Sequence, residues 1–343
     1  MIPNRIRILF QQERLSPREK GFLSAVGVLM VLIGVYPLWG DSYGLSVVRD
    51  SLILSIFALS LDFLWGKTDL LCFGHSTFFG TGAYAMALLT LKYQTSSVVG
   101  ILAALVIASS VALLAGYFLI YAGVRRQYFV IVTLALCMIA QQIVISLPGF
   151  TGGDAGLIDI PPLAFSFFSK DVTFNDDSLY FLALGLSAAT FLGLWFFTRG
   201  NYGKILKSIL YNETRAQTFG HNTSFHLLIA FVISAMLAGL SGAIYTVTQG
   251  IVTPDLIGPV LATEVVVWVA VGGRGTLLGP MIGCFLVVRM RQEISSISTT
   301  LWPLVMGIAF VLMVFVFPDG IVTIARWTGI HRLFRGAEGR HIT

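Results

Sequence analysis

Long apolar runs dominate this chain and constrain its fold more than any other feature. Six of them fall within the range of roughly 17–25 residues that an α-helix needs to cross the hydrocarbon of a bilayer. They cover residues 21–39, 98–121, 128–147, 178–198, 225–248 and 298–317. Only 11% of the residues are charged and 56% are hydrophobic, so a soluble fold would expose too much apolar surface. We therefore predict an all-α, polytopic transmembrane protein.

Four shorter or glycine-interrupted apolar runs bring the predicted number of membrane segments to ten. They cover residues 50–66, 70–91, 260–272 and 276–291. Glycine removes side-chain bulk and Pro280 removes a backbone donor, so helices in these runs can break or pack closely. Broken helices in corresponding places of a transporter indicate the solute pathway. Close helix packing alone is the other interpretation.

The distribution of basic residues orients these segments. With ten spans and both termini in the cytoplasm, 17 of the 22 Lys and Arg residues fall inside, as the usual bias of membrane proteins requires. The five on the outside are Arg49, Lys92, Lys170, Arg289 and Arg291. We predict a cytoplasmic N-terminal segment (1–20), a membrane domain (21–325) that includes an outer loop (148–177), and a cytoplasmic C-terminal tail (326–343).

The residue types that carry catalysis or bind metals form no recognisable constellation. Gly66-Lys67-Thr68 matches the end of a phosphate-binding loop, but residue 61 is Leu where that motif needs Gly. The five histidines are not spaced as a metal site would need. Cys72, Cys137 and Cys284 each lie in an apolar run and are interpreted as small buried hydrophobes. The net charge of +5 belongs to segments that flank the apolar runs, which argues against nucleic-acid binding.

A charged stretch, residues 198–224, separates two of the long apolar runs and is predicted to be a cytoplasmic loop. Ile205, Ile209, Ala216 and Phe219 fall on one face of a helix at this spacing, and Lys204, Lys207 and Arg215 fall on the other. An amphipathic helix of this kind fits docking to a soluble partner. It also fits a helix that lies on the membrane surface, or a solvated connection.

Two carboxylates lie within apolar runs. Asp62 and Glu264 would each cost a few kcal/mol near the middle of a bilayer, so they either face a partner or water, or lie near an interface. Arg274, Arg289 and Arg291 are interpreted as charges that flank the spans. Glu264 is the better candidate for a residue on the solute pathway, because ionisable groups inside spans are functional by default.

Four stretches, taken together, resemble the permease subunits of branched-chain amino acid and urea ABC importers. They are FALSLDFLWGKTDLLCFGHSTFFGTGAYAMALL (57–89), the segment from NYGKILKSIL to TQGIVTPD (201–255), GGRGTLLGPMIG (272–283) and VMGIAFVLMVFVFPDGI (305–321). VWVAVGGRGTLLG (267–279) is more similar to the urea type. Lys67, Asp69 and Pro280 depart from the pattern of these permeases and bear on the substrate, not on the family.

The resemblance implies a division of labour between several subunits. The partners are a second homologous permease, two cytoplasmic ATPases that hold ATP and Mg, and a periplasmic solute-binding protein, all at a bacterial inner membrane. This chain itself then needs no cofactor and no metal, and it is not an enzyme. The loop at 198–224 then couples the permease to an ATPase. The residues predicted to make this coupling are Lys204, Ile205, Ile209, Glu213, Arg215, Phe219 and Gly220.

The sequence thus predicts a translocation subunit for a small polar solute, with urea or a short amide favoured and branched-chain amino acids as the alternative. A proton-coupled secondary transporter or a passive channel is a more distant alternative, since neither needs a docking loop. The residues predicted to line the pathway are Gly74, His75, Phe78, Phe79 and Glu264.

Overall fold

The part of the chain that the structure describes is largely helical, because a backbone in lipid must satisfy its hydrogen bonds within each segment. The computed structural model describes residues 17–297 except 125, 168 and 169, and also residues 304, 305, 307, 308 and 311. Within these residues the helices are α1 (Pro17–Val35), α2 (Ser42–Thr68), α3 (His75–Ala87), α4 (Ser97–Tyr121), α5 (Arg126–Ile145), α6 (Pro148–Thr151), α7 (Asp176–Arg199), α8 (Asn201–Tyr211), α9 (Glu213–Thr218), α10 (Thr223–Gln249), α11 (Pro259–Gly272) and α12 (Leu278–Ile297).

The predicted all-α membrane architecture is confirmed. By length and composition, α4, α5, α7 and α10 are each able to cross a membrane. Each predicted apolar run from 21–39 to 276–291 overlaps one of the helices. The run at 298–317 lies mostly outside the described residues, as does most of segment 1–20, and all of the tail 326–343 lies outside them.

The small amount of β-structure lies in and near the predicted outer loop. Strand β1 (Leu157–Ile158) pairs antiparallel with β4 (Ile251–Val252), and Leu157 lies opposite Val252. Strands β2 (Ala164–Phe167) and β3 (Lys170–Thr173) form a second antiparallel pair. The β1–β4 pair therefore ties the loop at 148–177 to the segment that precedes α11.

The core forms around α10, which packs against α2, α3 and α4. Glycine permits the closest of these approaches. A Cβ atom on Gly82 of α3 would lie 2.2 Å from the carbonyl oxygen of Gly239 on α10, and one on Gly242 would lie 2.0 Å from the carbonyl oxygen of Phe79. The backbones of α3 and α10 thus meet directly, as helices do in membranes where small residues line the interface.

The α11–α12 hairpin is built in the same way. A Cβ atom on Gly272 would lie 1.9 Å from the carbonyl oxygen of Gly279, and one on Gly283 would lie 2.1 Å from that of Trp268. Close packing, one of the two interpretations of the sequence, therefore accounts for these glycines of the 260–272 and 276–291 runs.

Among the helices of the apolar runs, α11 is too short to cross a bilayer unaided. It has 14 residues and spans about 20 Å against a hydrocarbon thickness of about 30 Å. Helix α3 has 13 residues and is continued by a π-helical turn, Leu88–Lys92. Irregular backbone at residues 69–74 precedes α3, whereas strand β4 and a single 3-10 turn, Pro254–Leu256, precede α11. The predicted break in the 70–91 run is thus present, and it lies before His75.

Candidate functional site

Side chains from neighbouring helices satisfy the irregular backbone that precedes α3. The N–H of Phe73 donates to Oγ1 of Thr133 on α5 at 3.2 Å, and the N–H of Leu70 donates to Oγ1 of Thr68 at 3.4 Å. Gly74 is the N-cap residue of α3. Protein side chains thus take the place of helical partners for these two N–H groups.

His75 lies at the start of α3 and is fully buried between α2 and α10. Its Nε2 is 2.8 Å from Oγ of Ser60, and its ring stacks on Phe57 with the centroids 5.5 Å apart. Phe78 meets the His75 ring edge-on at 5.8 Å. Among the described residues, no hydrogen-bond partner reaches Nδ1 of His75. A polar ring thus sits in an aromatic cluster well inside the helix bundle.

The start of α3 also contacts the start of α11. Oγ of Ser76 donates to the carbonyl oxygen of Ile257 at 2.7 Å and to that of Gly258 at 3.1 Å. Sγ of Cys137 donates to the Ile257 carbonyl at 2.8 Å. Helices α3 and α11 and the segments that precede them therefore form one joined unit. The sequence placed these segments in separate runs and did not predict that they meet.

Of the residues predicted to line a pathway, four lie together and one lies apart. Gly74, His75, Phe78 and Phe79 belong to the buried α3 region, and Phe79 packs on Phe57 with a centroid distance of 4.7 Å. Glu264 lies on α11, and its side chain is 5% exposed. Their role in a pathway stays a prediction.

Arg291 is more than the flanking charge that the sequence suggested. Its Nη1 lies 3.0 Å from Oε2 of Glu264 and donates to it. This ion pair joins α11 to α12, and it explains how a carboxylate is tolerated in an apolar run, since buried charges in spans pair with one another. The sequence missed the pair because the two residues are 27 positions apart.

Asp62 is fully buried and holds the turn between α11 and α12. Its carboxylate accepts hydrogen bonds from the N–H groups of Gly275 and Leu277, the latter at 3.0 Å. The interpretation of Asp62 as an interfacial charge is therefore incomplete, because the side chain is a structural acceptor for this turn.

The charged loop at 198–224 folds as two helices, α8 and α9, between α7 and α10. Oδ1 of Asn212 accepts from the N–H of Arg215 at 2.9 Å and caps α9, and Oδ1 of Asn222 caps α10 in the same way at 3.1 Å. The hydroxyl of Tyr202 donates to the carbonyl oxygen of His226 at 2.8 Å. Burial raises the pKa of Tyr202, so this hydroxyl keeps its proton and remains a donor.

The predicted apolar face of this loop is turned largely towards the chain's own core. Ile209 is 0% exposed and Ala216 is 3% exposed, and Ile205 packs against the same cluster. Among the residues predicted to couple the loop to an ATPase, the exposed ones are Lys204, Arg215, Phe219 and Gly220. Phe219 is thus the one member of the apolar face that is exposed. The buried residues therefore anchor the loop to the spanning helices, and the exposed ones are those that a partner is able to reach.

Comparison with known proteins decides the family of this chain. A family model described as the permease component of branched-chain amino acid transport systems matches residues 43–317. The match runs through the joined α3 and α11 unit, the loop at 198–224 and the α11–α12 hairpin. The chain belongs to this family. Members of the family are transport subunits, so the chain is a non-catalytic membrane permease of the ABC importer type.

Two curated relatives extend this result. The high-affinity branched-chain amino acid transport system permease protein LivM of Salmonella typhimurium is 27% identical over 331 residues, which cover 90% of this chain and 76% of the relative. LivM of Escherichia coli is 28% identical over 331 residues with the same coverage. No solved structure matches the permease.

The preference for urea over branched-chain amino acids is not supported. The preference depended on residues 267–279, and several of these residues have a structural role in the packing of α11 and α12. Gly272 and Gly279 permit the close α11–α12 contact, and the turn at 275–277 is held by Asp62. Helix packing therefore accounts for these two glycines and this turn, and the family match does not favour urea. The alternative prediction, a permease of the branched-chain amino acid type, is the better supported.

Proposed function

We propose that this permease is the translocation subunit of an ATP-driven importer of branched-chain amino acids. The observation that carries the proposal is the family match over residues 43–317. The two LivM relatives, similar over 90% of the chain, support the same class of solute. The permease works with a second homologous permease, two ATPases that bind ATP and Mg, and a periplasmic binding protein.

In this proposal the loop at 198–224 faces the cytoplasm and docks on an ATPase. The structure offers a suitable form for that role. Arg215 and Phe219 are exposed, the latter by 77%, while Ile209 and Ala216 lie in the core. A loop anchored in this way transmits displacement to α2, α7 and α10 instead of yielding locally. Both termini then lie in the cytoplasm, and the loop at 148–177 faces the periplasm.

Solute selection tests the proposal. Uptake of labelled leucine by cells that produce the complete importer should be suppressed by excess unlabelled isoleucine or valine. The same excess of urea should leave leucine uptake unchanged. The control is a strain that lacks the permease gene, in which the competed fraction of uptake should be missing. Saturable uptake of labelled urea, with leucine uptake equal in both strains, would instead favour the urea type.

A further inference from the structure

Asp69 lies between two arginines that come from distant parts of the chain. Nη1 of Arg126, at the start of α5, donates to Oδ2 at 3.0 Å, and Nη2 of Arg274, in the turn before α12, donates to Oδ1. Nη2 of Arg126 also lies 3.8 Å from Oε2 of Glu213, the first residue of α9. We call Glu213, Arg126, Asp69 and Arg274 the charge bridge.

The backbone presents the carboxylate of Asp69 in a fixed position. Asp69 ends α2 in the left-handed region, with a φ of 61°, and its N–H donates to the carbonyl oxygen of Trp65. Asp is one of the few residues besides Gly that adopt this conformation readily. A glycine would serve the turn as well, so the turn alone does not require a charge at position 69.

Arg274 is fixed on the opposite side of the bridge. Its guanidinium lies over the ring of Trp65 at 4.9 Å and donates to the Trp65 carbonyl at 3.1 Å. Nζ of Lys67 donates to the carbonyl oxygen of Gly275 at 2.8 Å. Together with the buried Asp62 contacts, these bonds make the end of α2 and the turn before α12 one rigid piece. The remaining members, Arg126 and Glu213, connect that piece to α5 and to the docking loop.

The exposure of the bridge distinguishes it from the contacts beneath it. The side chains of Asp69 and Arg274 are each 38% exposed, Arg126 is 33% exposed and Glu213 is 37% exposed. Ion pairs open to water are individually weak, so they separate and re-form at little cost. The link between docking loop and spanning helices is therefore the part of this region that is suited to changing during a cycle.

We propose that Asp69 is a positioning residue for energy coupling, which joins the loop that receives the ATPase movement to the ends of α2 and α12. The inference rests on the proposed function and deepens it, because it names the contact through which that movement reaches the spans. When the loop moves, Arg126 and Glu213 move relative to Asp69 and Arg274, and the bridge rearranges.

The test measures solute moved per ATP hydrolysed by the complete purified importer in proteoliposomes. In Asp69→Asn and Asp69→Gly this ratio should fall about fivefold or more, in line with a typical coupling between two sites. The amount of assembled complex and the rate of ATP hydrolysis should stay near wild type. Asp69→Glu retains the charge and should recover part of the ratio. Asp154→Asn, in the exposed outer loop, is the matched control and should behave as wild type.

A second variant checks that the bridge acts as a unit. Arg274→Gln should lower the ratio on its own but add little in the Asp69→Asn background, because residues in one network are not additive. An unchanged ratio in Asp69→Asn and Asp69→Gly would overturn the proposal, as would a parallel loss of assembly and both activities in all three Asp69 variants. These outcomes differ from a failure of the proposed function. In that case ATP hydrolysis by the wild-type importer would drive no amino acid uptake at all.

Discussion

Gly82→Ala should destabilise the folded permease by about 3 kcal/mol, although it adds a single methyl group. The new Cβ would lie 2.2 Å from the carbonyl oxygen of Gly239 and 2.5 Å from its Cα. Both of these atoms belong to backbone, so no side-chain rotation relieves the clash, and α3 has to move away from α10. Titration of SDS into mixed micelles, followed by tryptophan fluorescence, measures the change in the free energy of unfolding.

Gly185→Ala is the matched control for this substitution. Gly185 also lies in a membrane helix, α7, but a Cβ there meets nothing within 4 Å. Because alanine is the better helix former, this variant should be as stable as the wild type or slightly more stable. Equal stability of the Gly82 and Gly185 variants would show that α3 and α10 do not meet as described.

Charge reversal in the loop at 198–224 should separate ATP hydrolysis from transport if the loop docks on an ATPase as proposed. In Arg215→Glu, amino acid uptake should fall about tenfold or more, while the permease remains inserted and hydrolysis by the associated ATPases continues. The reason is positional: Arg215 is exposed on α9, whose N-cap Asn212 and buried Ala216 hold the helix against the core. Glu213→Lys should act in the same direction and also removes a partner of Arg126.

Matched substitutions separate a docking effect from a loss of folding. Asp177→Lys reverses a charge at the exposed start of α7, on the other side of the proposed membrane domain, and should leave uptake near wild type. Surface levels and uptake of each variant are measured in whole cells, and hydrolysis is measured on the purified importer. If uptake per ATP hydrolysed stays at the wild-type value in both Arg215→Glu and Glu213→Lys, the proposal that α9 docks on an ATPase is wrong.

Much of the fold was predictable, because a segment that spans lipid must form its backbone hydrogen bonds internally and is therefore helical in a chain of this kind. Apolar length alone located the helices of the spanning runs, and helical periodicity located the amphipathic loop. The same periodicity did not show that Ile209 and Ala216 are buried against the chain itself. An apolar stripe along a helix shows that one face avoids water, but it does not say whether the cover comes from the same chain, from lipid or from a partner.

The pairings of charged residues were not predictable from one sequence. Asp62 binds a turn more than 200 positions away, and Asp69 binds Arg126 and Arg274 from two different helix ends. Local patterns carry no information about such distant contacts, which depend on how the helices pack. The preference for urea drawn from residues 267–279 is not supported by the family match, and Gly272 and Gly279 among those residues permit the packing of α11 on α12.

ATP-driven transport by the purified importer tests the central claim most directly. Proteoliposomes that contain the permease with its co-purified subunits should accumulate labelled leucine when ATP and Mg are enclosed with the ATPases and the loaded binding protein is present on the opposite side. Liposomes that contain this chain alone should accumulate none. Accumulation by the chain alone, driven by a proton gradient or equilibrating without any energy source, would contradict the account and identify a secondary transporter or a channel.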